Sequence, residues 1–170
     1  MIEGVVVKEI KRHPDERGFF SEIVRFDDLG IIPKQESHAY RVTGVSNGWH
    51  IHLFHIETFY VVRGVMRLCL KDCRYITSVL VDYPYDKLYK QAVNFVPCET
   101  CGEYMEVVLS EYDPKAVVVP AGVAHGYKIL EAADIIYTAT ATYETSQHDE
   151  GRIEWNRWPE HNWTRNIEVR

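Results

Sequence analysis

The chain has 170 residues, 46% of them hydrophobic and 26% charged, which suits one domain with a sizeable packed core. Its net charge of −6 and pI near 5.7 come with 19 basic residues that form no run, so no nucleic-acid partner is expected. No apolar run approaches the ~20 residues that span a bilayer, and MIEGVVVKEIKR lacks a signal-peptide pattern, so a soluble, cytoplasmic protein without a membrane partner is expected.

Short segments rich in Val, Ile, Tyr and Thr, separated by turn residues, recur along the chain and read as strands. In order they are Val5–Ile10, Gly18–Val24, Ser37–Val45, Trp49–Phe54, Phe59–Arg63, Met66–Leu70, Ile76–Val81, Met105–Leu109, Ala116–Val119, Gly126–Leu130 and Ile135–Tyr143. Helix signals are confined to one capped turn at Asp27–Gly30 and to Tyr85–Ala92. Many strands with almost no helix imply an all-β sandwich or barrel. A single domain spanning residues 1–170 is expected. Within it, residues 83–101 mix tyrosines, prolines and charges and read as an excursion, either a lid or a dimer contact. Residues 152–170 carry Trp155, Trp158 and Trp163, too aromatic for a free tail, and read as a segment that packs on its own barrel or on a partner.

Chemistry concentrates in two stretches. In GVSNGWHIHLFHIETFYVVRG, from Gly44 to Gly64, His50 and His52 are two apart and project from the same strand face. Glu57 breaks that parity, so a turn or bulge within Leu53–Ile56 is needed to bring it to the same side. His55 reads as a loop residue. The second stretch, Pro120–Gly126, brings His125 from a distant strand. His50, His52, Glu57 and His125 form a ligand set suited to Fe, Mn, Ni or Zn, or a proton-transfer site without metal. Cys69 and Cys73 lie about 13 Å apart if that strand is straight, too far for one ion. Free thiols are the default for these and for Cys98 and Cys101, with structural zinc or a Cys98–Cys101 disulfide as alternatives.

The spacings from Gly44 through His50, His52 and Glu57 to Gly64, and from Pro120 through Gly122 to His125, resemble the two cupin motifs. That resemblance implies a double-stranded β-helix, or jelly-roll, barrel. Along most of its length the chain also resembles the dTDP-4-dehydrorhamnose 3,5-epimerase family. The matching segments are DERGFFSE at Asp15–Glu22, QESH at Gln35–His38, GVSNGWH at Gly44–His50, VVRG at Val61–Gly64, PAGVAHG at Pro120–Gly126, IYTAT at Ile136–Thr140 and Trp155–Asn156.

The resemblance implies that a histidine takes a proton from the carbon beside a 4-keto group of a nucleotide-linked 6-deoxysugar while a tyrosine returns one to the other ring face. It gives His50 as base, Tyr137 as acid, His125, Gln35 and Asn47 as substrate-binding residues, and Arg17 with Glu22 as the diphosphate grip. It also implies a homodimer formed by exchange of N-terminal strands. Three positions depart from the family pattern: Asn47 stands for an arginine, Glu57 for a lysine, and Arg157 for the aspartate that partners the base. The first expectation is an epimerase or isomerase of deoxysugar or cell-surface polysaccharide biosynthesis, acting on a nucleotide sugar without a cofactor. The second is a metal-dependent cupin enzyme using His50, His52, Glu57 and His125. The third is a sugar-nucleotide binding protein without catalysis.

Overall fold

The computed structural model describes residues 1–74, 98–146, 149–158, 161 and 163. Ten strands run in chain order: β1 (Val6–Glu9), β2 (His13–Asp15), β3 (Gly18–Phe20), β4 (Gln35–Arg41), β5 (Ser46–His52), β6 (Glu57–Asp72), β7 (Tyr104–Ser110), β8 (Lys115–Val119), β9 (Val123–Ala139) and β10 (Glu150–Ile153). One 3₁₀ turn at Phe26–Leu29 and a four-residue helix, α1 (Tyr143–Ser146), complete the described elements.

Two long strands organise the barrel. β6 and β9 pair antiparallel along nearly their whole lengths, with register shifts between Val61 and Met66. The first part of β6 pairs with β8, which carries β1, while the C-terminal part of β9 pairs with β4. Beyond the bulge, β6 pairs with β7 and the first part of β9 pairs with β5, which carries β10. Each long strand therefore leaves one sheet and enters the other, which produces the jelly roll. Gly64 permits the crossing. Its φ is 82°, and a Cβ there would sit 2.0 Å from the carbonyl oxygen of Ala132, a backbone atom that cannot move aside.

Between the sheets lies an apolar core that includes Phe59, Val61, Leu68, Val117, Ile129 and Ile135. A second cluster covers the outer face of β5. Trp49 and Ile51 point outward and pack against Trp158 and Trp163, which come from the C-terminal segment. Gly126 leaves room for this packing, since a Cβ would lie 2.7 Å from the Trp163 ring. Strand alternation then aims His50 and His52 inward.

Several expected strands fuse. Phe59–Arg63 and Met66–Leu70 are one strand, as are Gly126–Leu130 and Ile135–Tyr143, because bulges bend these strands without ending them. β2 and β10 were not foreseen. Tyr143 opens α1 instead of continuing a strand. The expected strand Ile76–Val81, the expected helix at Tyr85–Ala92 and most of the 83–101 excursion lie outside the described residues. Among the described residues, no helix is long and apolar enough to cross a membrane. All four cysteines are free thiols; burial pushes Cys69 and Cys73 up to about 12, which keeps both inert near neutrality.

Candidate active site

A cavity of about 380 Å³ opens between the sheets, a size suited to a small ligand. His50 and His52 reach it from β5, Glu57 from the start of β6, His125 from β9 and Tyr137 from the other end of β9. Gln35 and Asn47 also line it. The rings form a continuous wall: His50 stands 6.0 Å from His125, His125 5.4 Å from Phe59, and Phe59 6.0 Å from Tyr137. His50 and Tyr137 thus face one space with two rings between them.

Three of these groups, His52, Glu57 and His125, behave as a unit with two neighbours. The turn at Leu53–Ile56 brings Glu57 back to the side of His52, so its carboxylate sits 3.4 Å from His52 Nε2 and 3.0 Å from His125 Nε2. His55 approaches the same carboxylate at 4.0 Å, and its Nδ1 lies 2.5 Å from Asp149. Burial alone would raise Glu57, but the attraction of these three imidazoles, with His125 closest, outweighs it and holds the carboxyl well below the usual range. Burial would also lower His55. Its two carboxylate partners reverse that and raise it to about 9, so it is an imidazolium at neutral pH. His52 is lowered, chiefly by burial.

His55 is therefore no ordinary loop residue, and neither it nor Asp149 was singled out from the sequence. Asp149 accepts hydrogen bonds from the backbone N–H groups of Leu53, Phe54 and His55 at 2.6 to 3.1 Å. It thereby fixes the turn that aims Glu57. Parity gave a partial signal: a chain that must reverse within four residues needs its N–H groups capped.

His50 stands apart from this cluster. Its Nδ1 faces Glu150 of β10 at 3.8 Å, and Arg152 Nε donates to the same carboxylate at 3.1 Å. Burial, reinforced by His125, lowers His50 to about 4, so it is neutral at physiological pH and able to accept a proton. Glu150 carries no signal of this role in the sequence, where only Arg157 stands out as the place of a lost carboxylate partner.

For a metal, the convergent donors are His52, Glu57 and His125, whose ligand atoms lie within 4.8 Å of one another. Two imidazoles and a carboxylate suit a divalent transition ion. The structure does not bring His50 into that group. Nor does it bring Arg17 or Glu22 to the cavity of their own chain. Arg17, on the β2–β3 hairpin, is 81% exposed and paired with Asp15, while Glu22 pairs with Arg25.

Comparison with known proteins gives this geometry a family. Residues 73–163 match the family described as dTDP-4-dehydrorhamnose 3,5-epimerase. The chain is 32% identical over 160 residues to the spore coat polysaccharide biosynthesis protein SpsL of Bacillus subtilis, covering 92% of this chain and 91% of that protein. It is 28% identical over 163 residues to a dTDP-4-dehydrorhamnose 3,5-epimerase of Sinorhizobium fredii, covering 88% and 73%. Among solved structures, the dTDP-6-deoxy-D-glucose-3,5-epimerase of Legionella pneumophila, in complex with dTDP-4-keto-L-rhamnose, superposes with a TM-score of 0.70 at 25% identity, covering 91% of this chain and 75% of that one. On the strength of the family match and the Bacillus relative, the chain belongs to the dTDP-4-dehydrorhamnose 3,5-epimerase family.

Proposed function

We propose that this protein epimerises a nucleotide-linked 4-keto-6-deoxysugar in the biosynthesis of a deoxysugar or surface polysaccharide. The observation that carries the reading is a partly buried, neutral His50 and a Tyr137 lining one cavity with two rings between them. In the proposed reaction the C–H bond beside the ketone breaks, its proton moves to His50, and its electron pair passes to the ketone oxygen as an enolate. Tyr137 then donates its hydroxyl proton to the opposite face of the same carbon, restoring the ketone with inverted configuration. Solvent returns both side chains to their starting states. With Glu57 in place of the family's lysine, His125 at the cavity wall takes the task of stabilising the enolate. No cofactor is needed for these steps.

The homodimer belongs to the same proposal. The β2–β3 hairpin forms a two-stranded sheet of its own, with Phe19 55% and Phe20 70% exposed. We read it as an arm that packs on a second copy and carries Arg17 and Glu22 toward that copy's cavity. Sedimentation should give a dimer, and Phe19→Ser/Phe20→Ser a monomer.

The test of the reaction is deuterium uptake from D2O into dTDP-4-keto-6-deoxyglucose. Uptake beside the ketone that disappears in His50→Gln supports the assignment; uptake that persists in that variant removes His50 from the mechanism.

The convergence of His52, Glu57 and His125 supports a second reading, a metal-dependent enzyme, in which the ion would polarise a substrate oxygen. Elemental analysis of untagged protein separates the two. Near-stoichiometric Zn, Fe, Mn or Ni that is lost in His52→Ala favours the metal; none favours the cluster of hydrogen bonds.

A further inference from the structure

The charges around the cavity do not balance in a way that suits a neutral ligand. Glu57 is already surrounded by imidazoles, and Arg152 is paired with Glu150. Arg41, at the end of β4, is different. Its Nε donates to the Tyr127 hydroxyl at 3.2 Å and its Nη1 to the Tyr40 carbonyl at 3.0 Å, both neutral acceptors. Among the described residues no carboxylate lies within ion-pair distance of it, although the chain as a whole is acidic. A half-buried guanidinium at a cavity wall, held by two hydrogen bonds yet left without a counter-ion, is arranged to receive one from outside.

The Tyr127 hydroxyl explains how it is aimed. It accepts a second hydrogen bond from Asn47 Nδ2 at 3.3 Å. β4 and β5 both pair with β9, β4 along its C-terminal part and β5 along its N-terminal part, so the two side chains reach one oxygen from separate strands. Arg41 therefore lies beside the side chain of Asn47, and a guanidinium projecting from either position would serve the same patch of the wall.

We propose that Arg41 binds the diphosphate of the nucleotide sugar, with Tyr127 as the positioning residue that holds its guanidinium. This rests on the functional reading above and deepens it. The fork of Arg41 offers paired N–H groups to two phosphate oxygens, and the charge it contributes is not shared with any acid among the described residues. An in-chain cation also means that diphosphate affinity does not depend wholly on Arg17 arriving from another subunit.

The experiment measures binding of dTDP and of inorganic pyrophosphate by calorimetry, with KM and kcat for the keto sugar nucleotide. Arg41→Ala should weaken both ligands by about tenfold to a hundredfold, in line with loss of charged hydrogen bonds, and raise KM with kcat little changed. Arg41→Lys should recover only part of the affinity. The exchange variant Arg41→Asn/Asn47→Arg should recover most of it, which a merely structural role for Arg41 would not produce. Unchanged dTDP and pyrophosphate binding in Arg41→Ala, with wild type binding both, overturns the Arg41 assignment and leaves the epimerase reading standing. Failure of the wild-type protein to bind either ligand overturns both.

Discussion

His50 and His55 lie five residues apart on either side of one turn, and the same imidazole is put to opposite uses. His55 is 5% exposed, locked between Asp149 and Glu57, and carries a charge at neutral pH. His50 lies at 3.8 Å from Glu150, its one carboxylate neighbour among the described residues, and is held neutral by burial. What separates them is the number and closeness of acid partners, because burial opposes the charged form in both cases. The locked half of the cluster shapes the cavity, and the loosely partnered half is left with a lone pair to use.

The largest expected effect follows from the second half. His50→Gln should reduce turnover by about 10²- to 10⁴-fold, the usual contribution of a general base, while the urea midpoint stays near that of wild type. Equal losses of activity and stability would erase the contrast between the two histidines. Tyr137→Phe sharpens it further: epimerised product should fall about 10²-fold, whereas proton exchange at the face attended by His50 should continue.

Next in size is the locked half. Asp149→Asn removes the charge that caps three N–H groups and pairs with His55, leaving an imidazolium buried with fewer acid partners. A loss of about 3 kcal/mol or more in unfolding free energy is expected, as for other broken buried pairs, and denaturant titration measures it. A smaller change than in His50→Gln would mean that the turn is held by something else.

The two halves should also separate on a pH axis. His55 is raised to about 9, so its stabilising contribution is complete below about pH 6.5 and is lost as pH rises through 9. His50 is lowered to about 4, so it disfavours the folded state as pH falls from about 6.5 toward 4. Glu57 and Asp149, both lowered, add stability above the ordinary carboxylate range that is lost as pH falls through their folded values. His55→Gln should therefore flatten the alkaline side of a stability profile by a few kcal/mol, and, because His55 is the partner that lowers Asp149, weaken the acid side as well. An alkaline side that stays as steep as in wild type would contradict the assignment.

Much of this was legible in the sequence, for identifiable reasons. The β alternation of His50 and His52, the need for a turn before Glu57, and the glycine–proline punctuation around His125 are local signals with local physical causes. So is the aromatic C-terminal segment, whose Trp158 and Trp163 do pack on the barrel. The fusion of segments into β6 and β9 was not legible, since a bulge at Gly64 looks like a turn in one dimension. The roles of His55, Asp149 and Glu150 were hidden because they depend on β10, a four-residue strand whose pairing with β5 is set by the fold and has no pattern of its own. Arg41 was hidden for the same reason, since its placement depends on two strands sharing β9.

β10 also supplies the smallest of the expected effects. The family pattern partners the base with an aspartate at the position that Arg157 occupies, and here Glu150 is the acid nearest His50. Glu150 raises His50 against the pull of burial, so Glu150→Gln should move the acid limb of the kcat/KM profile to lower pH. A weaker base abstracts a proton more slowly, and for a carboxylate at 3.8 Å that also salt-bridges to Arg152 the loss should be about tenfold or less. Glu150→Asp keeps the charge and should return the limb toward its original position even if the rate stays low. A rate loss with no movement of the limb would make Glu150 an anchor for Arg152 only, and would leave His50 as a base that works by burial and position alone.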